Sequence, residues 1–299
     1  MSPHIPPFLD YMQYERRASP LTIQAYQRDL QNFETFLSST TNITDLTQVT
    51  PKNVRRWMVT LLDSDIAPRS VNRMVAALRS FYRFLCQRDI VKINPCKVID
   101  SVKTPKKLPV FLHDDEMLNI VDPVNYPDTF IGHRDRTIVQ LFYLTGIRRA
   151  ELVNMTVGQI DMATQQILVN GKRNKQRIIP VTKFLNSIIS SYLHHRENEF
   201  GTPLPTDPLF LTAKGKPIYP QLVYQIVHDH IQLAANATKM SPHVLRHTFA
   251  TAMLNHGADL MAIKELLGHA SLSATQIYAH SDFEQLNNIY KKAHPRAHN

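Results

Sequence analysis

The sequence predicts a mainly α-helical protein with a small β-sheet, built as an N-terminal four-helix unit followed by a C-terminal mixed α/β unit. Three observations predict this. A chain of 299 residues with 43% hydrophobic content is long enough for two modest cores. Most of its apolar residues recur at helical spacing, several runs opening on a capping residue followed by proline. One stretch, "QQILVNGKRNKQRIIPV", instead shows two β-prone runs around a polar segment containing Gly and Asn, which is the pattern of a hairpin.

The opening "FLDYMQYE" is read as the first helix. "SPLTIQAYQRDLQNFETFL" offers Ser19 as cap and Pro20 as first helical residue, and "TPKNVRRWMVTLL" offers Thr50 and Pro51 in the same roles. In "APRSVNRMVAALRSFYRFLCQ", Val71, Met74, Leu78, Phe81 and Leu85 form one apolar stripe. Arg69, Arg73, Arg79, Arg83 and Arg88 take the other faces, either as a solvated surface or as phosphate contacts. These helices make a first domain over residues 1–104. In "INPCKVIDSVKTPKKLPVFL", Pro95, Pro105 and Pro109 interrupt periodicity among lysines, so an extended connection is expected, with the linker at 105–110.

The second domain is placed at 111–299. "HRDRTIVQLFYLTGIRRAELVNM" has helical period but contains Thr145-Gly146, which predicts two helices joined by a tight turn with Arg148 just beyond it. Lys172 falls at the bend of the hairpin. "SPHVLRHTFATAMLNHG" reads as a helix opening on Ser241-Pro242 and closing at Gly257. The tail "SDFEQLNNIYKKAHPRA" begins with a capping box, Ser281 and Glu284, and puts Phe283, Leu286 and Tyr290 on one stripe. That stripe packs either on its own domain or on a neighbouring protomer.

Net charge is +9, and it is uneven. Residues 1–107 hold 16 Lys and Arg against 9 Asp and Glu, whereas 108–299 hold 18 against 16. Such an excess points to a polyanion. No long apolar run, lipidation motif or basic amphipathic anchor supports a membrane, so nucleic acid is the favoured partner. Two cysteines, Cys86 and Cys96, and a start lacking a basic then apolar leader predict neither secretion nor a disulfide framework, and a cytoplasmic protein is expected.

Taken singly, the candidate chemical residues have ordinary readings. Arg148 can pair with Glu151 at helical spacing. "GKRNKQR" can be an exposed hairpin tip. His269 in "LLGHAS" can cap a backbone group, and Tyr278 can be a half-buried core residue. His243 and His247 share a helix face, yet no glutamate or third ligand accompanies them, so a zinc site there is disfavoured and no metal or cofactor is expected. Jointly, two arginines, a lysine, two histidines and a tyrosine are the set needed to break a DNA phosphodiester. Arg148 and Arg246 can fork onto non-bridging oxygens and favour an ionised phenol. Tyr278 is then the nucleophile, Lys172 protonates the leaving 5′ oxygen, and His243 and His269 donate to the phosphate or accept the tyrosine proton.

In order and spacing, Arg148 in "TGIRRAEL", Lys172 in "NGKRNKQR", His243 and Arg246 in "HVLRH", His269 in "LLGHAS" and Tyr278 in "TQIYAH" resemble the tyrosine recombinase (phage integrase) family, and the chain's ending resembles its Xer subfamily. The resemblance implies an N-terminal core-binding, SAM-like DNA-binding domain and a C-terminal catalytic domain with a tail helix. It implies cleavage of double-stranded DNA to a 3′-phosphotyrosyl intermediate, strand exchange through a Holliday junction and religation, with neither metal nor ATP. It further implies a dif-type site, a heterotetramer with XerD, activation by an FtsK-type translocase, and resolution of chromosome dimers. One departure is Arg173, where the family often has glycine. A residue with a Cβ resists positive φ, which leaves Lys175 as the competitor of Lys172. The alternatives are a non-cleaving architectural DNA-binding protein of the same fold, and a topoisomerase that reseals the strand it cuts.

Overall fold

Proline stands in the first turn of each described α-helix of the N-terminal unit, where its missing N–H has no partner to lose and its fixed φ suits the helix. These helices are α1 (Ile5–Asp10), which runs on into one π-helical turn (Tyr11–Glu15), α2 (Pro20–Thr40), α3 (Pro51–Asp63) and α4 (Pro68–Gln87). The computed structural model describes residues 2–41, 43–105, 111–171, 176–234 and 240–268. The chain divides into two compact units, Met1–Lys107 and Leu108–Asn299.

Capping follows the sequence signals. Ser19 Oγ accepts from the Thr22 amide at 3.3 Å, and the Thr50 amide donates to Asn53 Oδ1 at 2.9 Å. Helix α4 is the centre of this unit and packs on α1, α2 and α3. Val71, Met74, Leu78, Phe81 and Leu85 are all buried, together with Phe8, Phe33 and Trp57 from the other three helices. Phe33 meets Trp57 at 4.8 Å between centroids, and Phe8 meets Phe81 edge-on at 5.4 Å.

The four arginines of α4 and Arg88 at its C-cap do not form one phosphate-facing row. Arg73 forks onto buried Asp29 of α2, Arg79 donates to the carbonyls of Cys96 (3.3 Å) and Ile99 (3.0 Å), and Arg88 pairs with Glu15 at 3.3 Å. Arg69 and Arg83 are exposed. The segment after α4 is likewise not a free extended connection. Asn72 holds both the amide and the carbonyl of Val102, each at 2.8 Å, so the chain is tied back along α4 before it leaves the unit.

In the second unit, α5 (Asp114–Ile120) precedes α6 (Phe130–Thr145), α7 (Arg149–Val153) and a three-stranded antiparallel meander: β1 (Ile160–Asp161), β2 (Gln166–Asn170) and β3 (Gln176–Pro180), in that order. Then follow α8 (Lys183–Phe200), α9 (Pro220–Ala234), α10 (Pro242–Asn255) and α11 (Leu260–Leu267). Helix α6 has helical period in its sequence, yet from Thr137 to Thr145 it is buried on every side, because α8, α9 and α10 surround it. Its end at Gly146 is the predicted turn. Gly146 has φ +59, and a Cβ there would lie 2.6 Å from Phe249 Cδ1 and 2.7 Å from Leu267 Cδ2. Gly146→Ala is therefore expected to lower the melting temperature of the full chain. Left-handed backbone costs about 1–2 kcal/mol and overpacking about 1–3 kcal/mol. An unchanged melting temperature would show that α10 and α11 yield freely at this point.

Candidate active site

The turn at Gly146 sets Arg148 as the N-cap of α7, with extended backbone, and Glu151 three residues on. The Glu151 carboxylate accepts from the Arg148 amide at 2.9 Å and from Arg148 Nη1 at 2.8 Å, so the ordinary helix-start pairing read from the sequence is present. Arg246 comes from the second turn of α10. A third arginine, Arg177 of β3, forks onto the same carboxylate at 2.9 and 2.8 Å.

All three guanidinium groups also converge on one helix end. Arg177 Nε donates to Leu266 O at 2.8 Å, Arg246 Nη2 to Leu267 O at 2.8 Å, and Arg148 Nη2 to Gly268 O at 2.6 Å. Arg246 Nη1 additionally bonds Gly146 O. The last carbonyls of a helix lack intrahelical partners and carry its negative pole, so cations are favoured there. Helix α11 stops because Gly268 turns left-handed at φ +63. A Cβ on Gly268 would stand 3.2 Å from Arg177 Nη1 and 3.3 Å from Arg148 Nη1, so the glycine of "LLGHAS" makes room for both. Arg246 and Arg148 are thereby held on the adjacent carbonyls of Leu267 and Gly268.

Three arginines against one carboxylate leave the cluster positive. Burial first, and then the neighbouring charge of Arg148, brings Arg246 down to about 10, which still leaves it protonated at neutral pH. Burial pushes the Glu151 carboxyl up, but its bonds to Arg177 and Arg148 outweigh that and hold it below its ordinary value. His243, one turn before Arg246 on α10, is exposed; burial of part of its ring, then the charges of Arg149 and Arg246, lower its pKa. At neutral pH its imidazole is uncharged and can accept a proton. An electropositive cluster of forked donors beside a neutral imidazole suits a phosphodiester.

Of the six residues singled out in the sequence, the structure brings Arg148 and Arg246 together, with His243 on the same helix as Arg246. Lys172, its competitor Lys175, His269, Tyr278 and the tail stripe lie outside the described residues. Arg177 was missed. Its signal is strand parity: Arg177 and Ile179 face inward in β3 while Ile178 is exposed, so an inward arginine required a buried partner. Arg177→Met leaves Glu151 to Arg148 alone and is expected to cost about 2–3 kcal/mol, read by thermal or denaturant unfolding. Because Glu151 is held below its ordinary value of 4.5, this contribution is present above that pH and is lost as pH falls through the lowered folded value. A variant as stable as the parent at pH 7 would remove the ion pair from the account of this site.

The phage integrase family profile matches residues 110–285, and that of the phage integrase N-terminal SAM-like domain matches residues 5–89. Tyrosine recombinase XerC of Anoxybacillus flavithermus is 39% identical over 292 residues, 97% of each chain. That of Listeria monocytogenes is 37% identical over 291 residues, again 97% of each. Among solved structures, the XerH site-specific recombinase bound to palindromic difH substrate in a post-cleavage complex matches with a TM-score of 0.72 at 24% identity, over 91% of this chain and 80% of that one. The Tn1549 transposon integrase in complex with transposon right end DNA matches at 0.73 and 17% identity, over 95% and 99%. These two share the fold. The chain belongs to the phage integrase family, the tyrosine recombinases. Within that family it is XerC-like, an enzyme of DNA recombination. No described helix is long and apolar enough to cross a membrane.

Proposed function

We propose that this recombinase cleaves its DNA site with Tyr278 as nucleophile, forming a 3′-phosphotyrosyl bond and a free 5′ hydroxyl. The observation that carries the reading is the placement of Arg148 and Arg246 on the adjacent carbonyls of Gly268 and Leu267. Two positive forks are thereby set side by side, one residue before His269 in the chain. The forks neutralise the charge that grows as phosphorus becomes five-coordinate. They also lower the cost of ionising a phenol whose reference pKa is about 10. His243, neutral and exposed, and His269 exchange protons with the phosphate and the tyrosine, and Lys172 protonates the leaving oxygen. The bond energy is retained in the covalent link, so the reaction needs neither ATP nor a metal.

The XerC-like character supports a finer assignment in the same reading. The substrate is a dif-type site, bound with a XerD-type partner in a heterotetramer that passes through a Holliday junction. An FtsK-type translocase activates it, and its task in the cytoplasm is resolution of chromosome dimers. The test is covalent trapping on a nicked suicide substrate carrying such a site. A protein–DNA adduct that survives denaturation and forms only with the partner recombinase present is the expected result. Binding without any adduct, with or without the partner, would overturn the assignment.

The proton donor has its own test. A substrate with sulfur at the bridging 5′ position needs no acid, because a thiolate leaves unprotonated. Lys172→Ala is expected to be inactive on ordinary DNA and active on the sulfur substrate. Rescue of Lys175→Ala instead would transfer the role to Lys175.

A further inference from the structure

Asp128, His133 and His195 lie apart from the arginine cluster, at the other end of α6. Asp128 precedes the N-cap Thr129, His133 lies in the first turn of α6, and His195 belongs to α8. At about 1.5 Å per residue, α6 puts roughly 18 Å between His133 and Thr145. One nitrogen from each imidazole and one carboxylate oxygen all lie within 4.8 Å of one another. His133 Nε2 is 2.7 Å and His195 Nε2 is 3.3 Å from the same Asp128 oxygen. The two rings stack, with centroids 3.7 Å apart and planes 20° apart, and direct both Nε2 atoms to that oxygen.

The other ring nitrogens decide what these atoms can do. His195 Nδ1 is 2.9 Å from Ser191 O, and a carbonyl only accepts, so Nδ1 carries the proton. In the neutral ring Nε2 is then a lone pair aimed at a carboxylate oxygen. Two acceptors in that position repel unless a cation lies between them. His133 Nδ1 is 3.1 Å from Ser191 Oγ, a hydroxyl that can accept as well as donate, so its Nε2 is free to join as a second lone pair. Histidines whose Nδ1–H is held by a carbonyl or hydroxyl are oriented as metal ligands usually are. Two imidazole nitrogens and one carboxylate suit zinc or a neighbouring first-row ion, whereas magnesium and calcium prefer an all-oxygen set. The Asp128 side chain is 91% exposed, which leaves room for the carboxylate to adjust and for water to complete a tetrahedron.

We propose that Asp128, His133 and His195 form a three-ligand site for a zinc-type divalent cation that clips the start of α6 to α8, remote from the arginine cluster. The site is structural rather than catalytic. The unfolded chain does not hold residues 67 positions apart together, so binding adds to the stability of the folded state.

The test uses the full chain, stripped by a chelator and titrated with zinc by calorimetry and thermal melting. The parent, His195→Gln and Asp128→Asn are compared, the metal-free variants serving as folding controls. One zinc per chain that raises the melting temperature is expected, with affinity reduced at least about tenfold in each variant, as loss of a ligand requires. Cobalt(II) in place of zinc is expected to give the visible absorption of a tetrahedral site in the parent alone. Equal zinc affinity in all three proteins would put the metal on other histidines and overturn the proposal. So would a parent that ignores zinc and merely gains stability as the pH falls through the histidine range, because the cation between His195 and Asp128 would then be a proton.

Discussion

Tyr278→Phe should bind its DNA site with near-parental affinity and form no covalent adduct. The substitution removes one hydroxyl and keeps the ring. Affinity for DNA rests on many phosphate contacts and falls with salt accordingly, and one phenol contributes little beside them. The chemistry, in contrast, has no substitute nucleophile within the set proposed here. Gel-shift titration and denaturing electrophoresis on the suicide substrate measure the two quantities separately. An adduct formed by Tyr278→Phe would remove Tyr278 from the nucleophile's role. Loss of binding without loss of folding would give it a contact role in place of a chemical one.

The second large effect is expected at the arginines. Arg148→Ala and Arg246→Ala should each slow cleavage about a thousandfold, which is roughly 4 kcal/mol of transition-state stabilisation. Each arginine also anchors structure. Arg148 bonds Glu151 and Gly268 O, while Arg246 bonds Gly146 O and Leu267 O, so alanine removes a chemical fork and a structural tie together. The two contributions separate by measurement. If cleavage falls only in proportion to the fraction unfolded, the arginines act as anchors. If a folded, DNA-binding variant is still slowed a thousandfold, the fork acts on the phosphate. Lysine should rescue either position poorly, because one ammonium cannot hold a carbonyl and a phosphate oxygen in the planar geometry of a guanidinium.

The helices of the N-terminal unit were legible because their signals are short-range. Ser19-Pro20 and Thr50-Pro51 act within one turn, and the stripe from Val71 to Leu85 repeats at the helical period, so each can be read without knowing what packs against it. The same holds for the turn at Gly146, where positive φ favours glycine, and for the hairpin formed by β2 and β3; the crowding of the Gly146 Cβ position by Phe249 and Leu267 is tertiary. The helix α5 and the two-residue strand β1 were not foreseen. The first is short, and the second exists only through its pairing with β2.

By itself the sequence determined the helices of the N-terminal unit and their starts, the break at Gly146, the start of α10, and the order of the candidate residues along the chain. Tertiary structure alone decided what the charged side chains do. Arg73 and Arg79 carry the same charge as Arg69 and Arg83, but a buried aspartate on α2 and two open carbonyls after α4 claim the first pair. Arg177 lies 26 residues from Glu151, and its bond to Leu266 O spans 89. The pairing of His243 with His247 is visible in sequence because it lies within one helical turn, whereas His133 and His195 meet only across α6 and α8. Helix period and capping act over three or four residues, and sequence displays them directly. A buried charge takes its partner from whatever the packed core brings near, and that is a property of the whole domain.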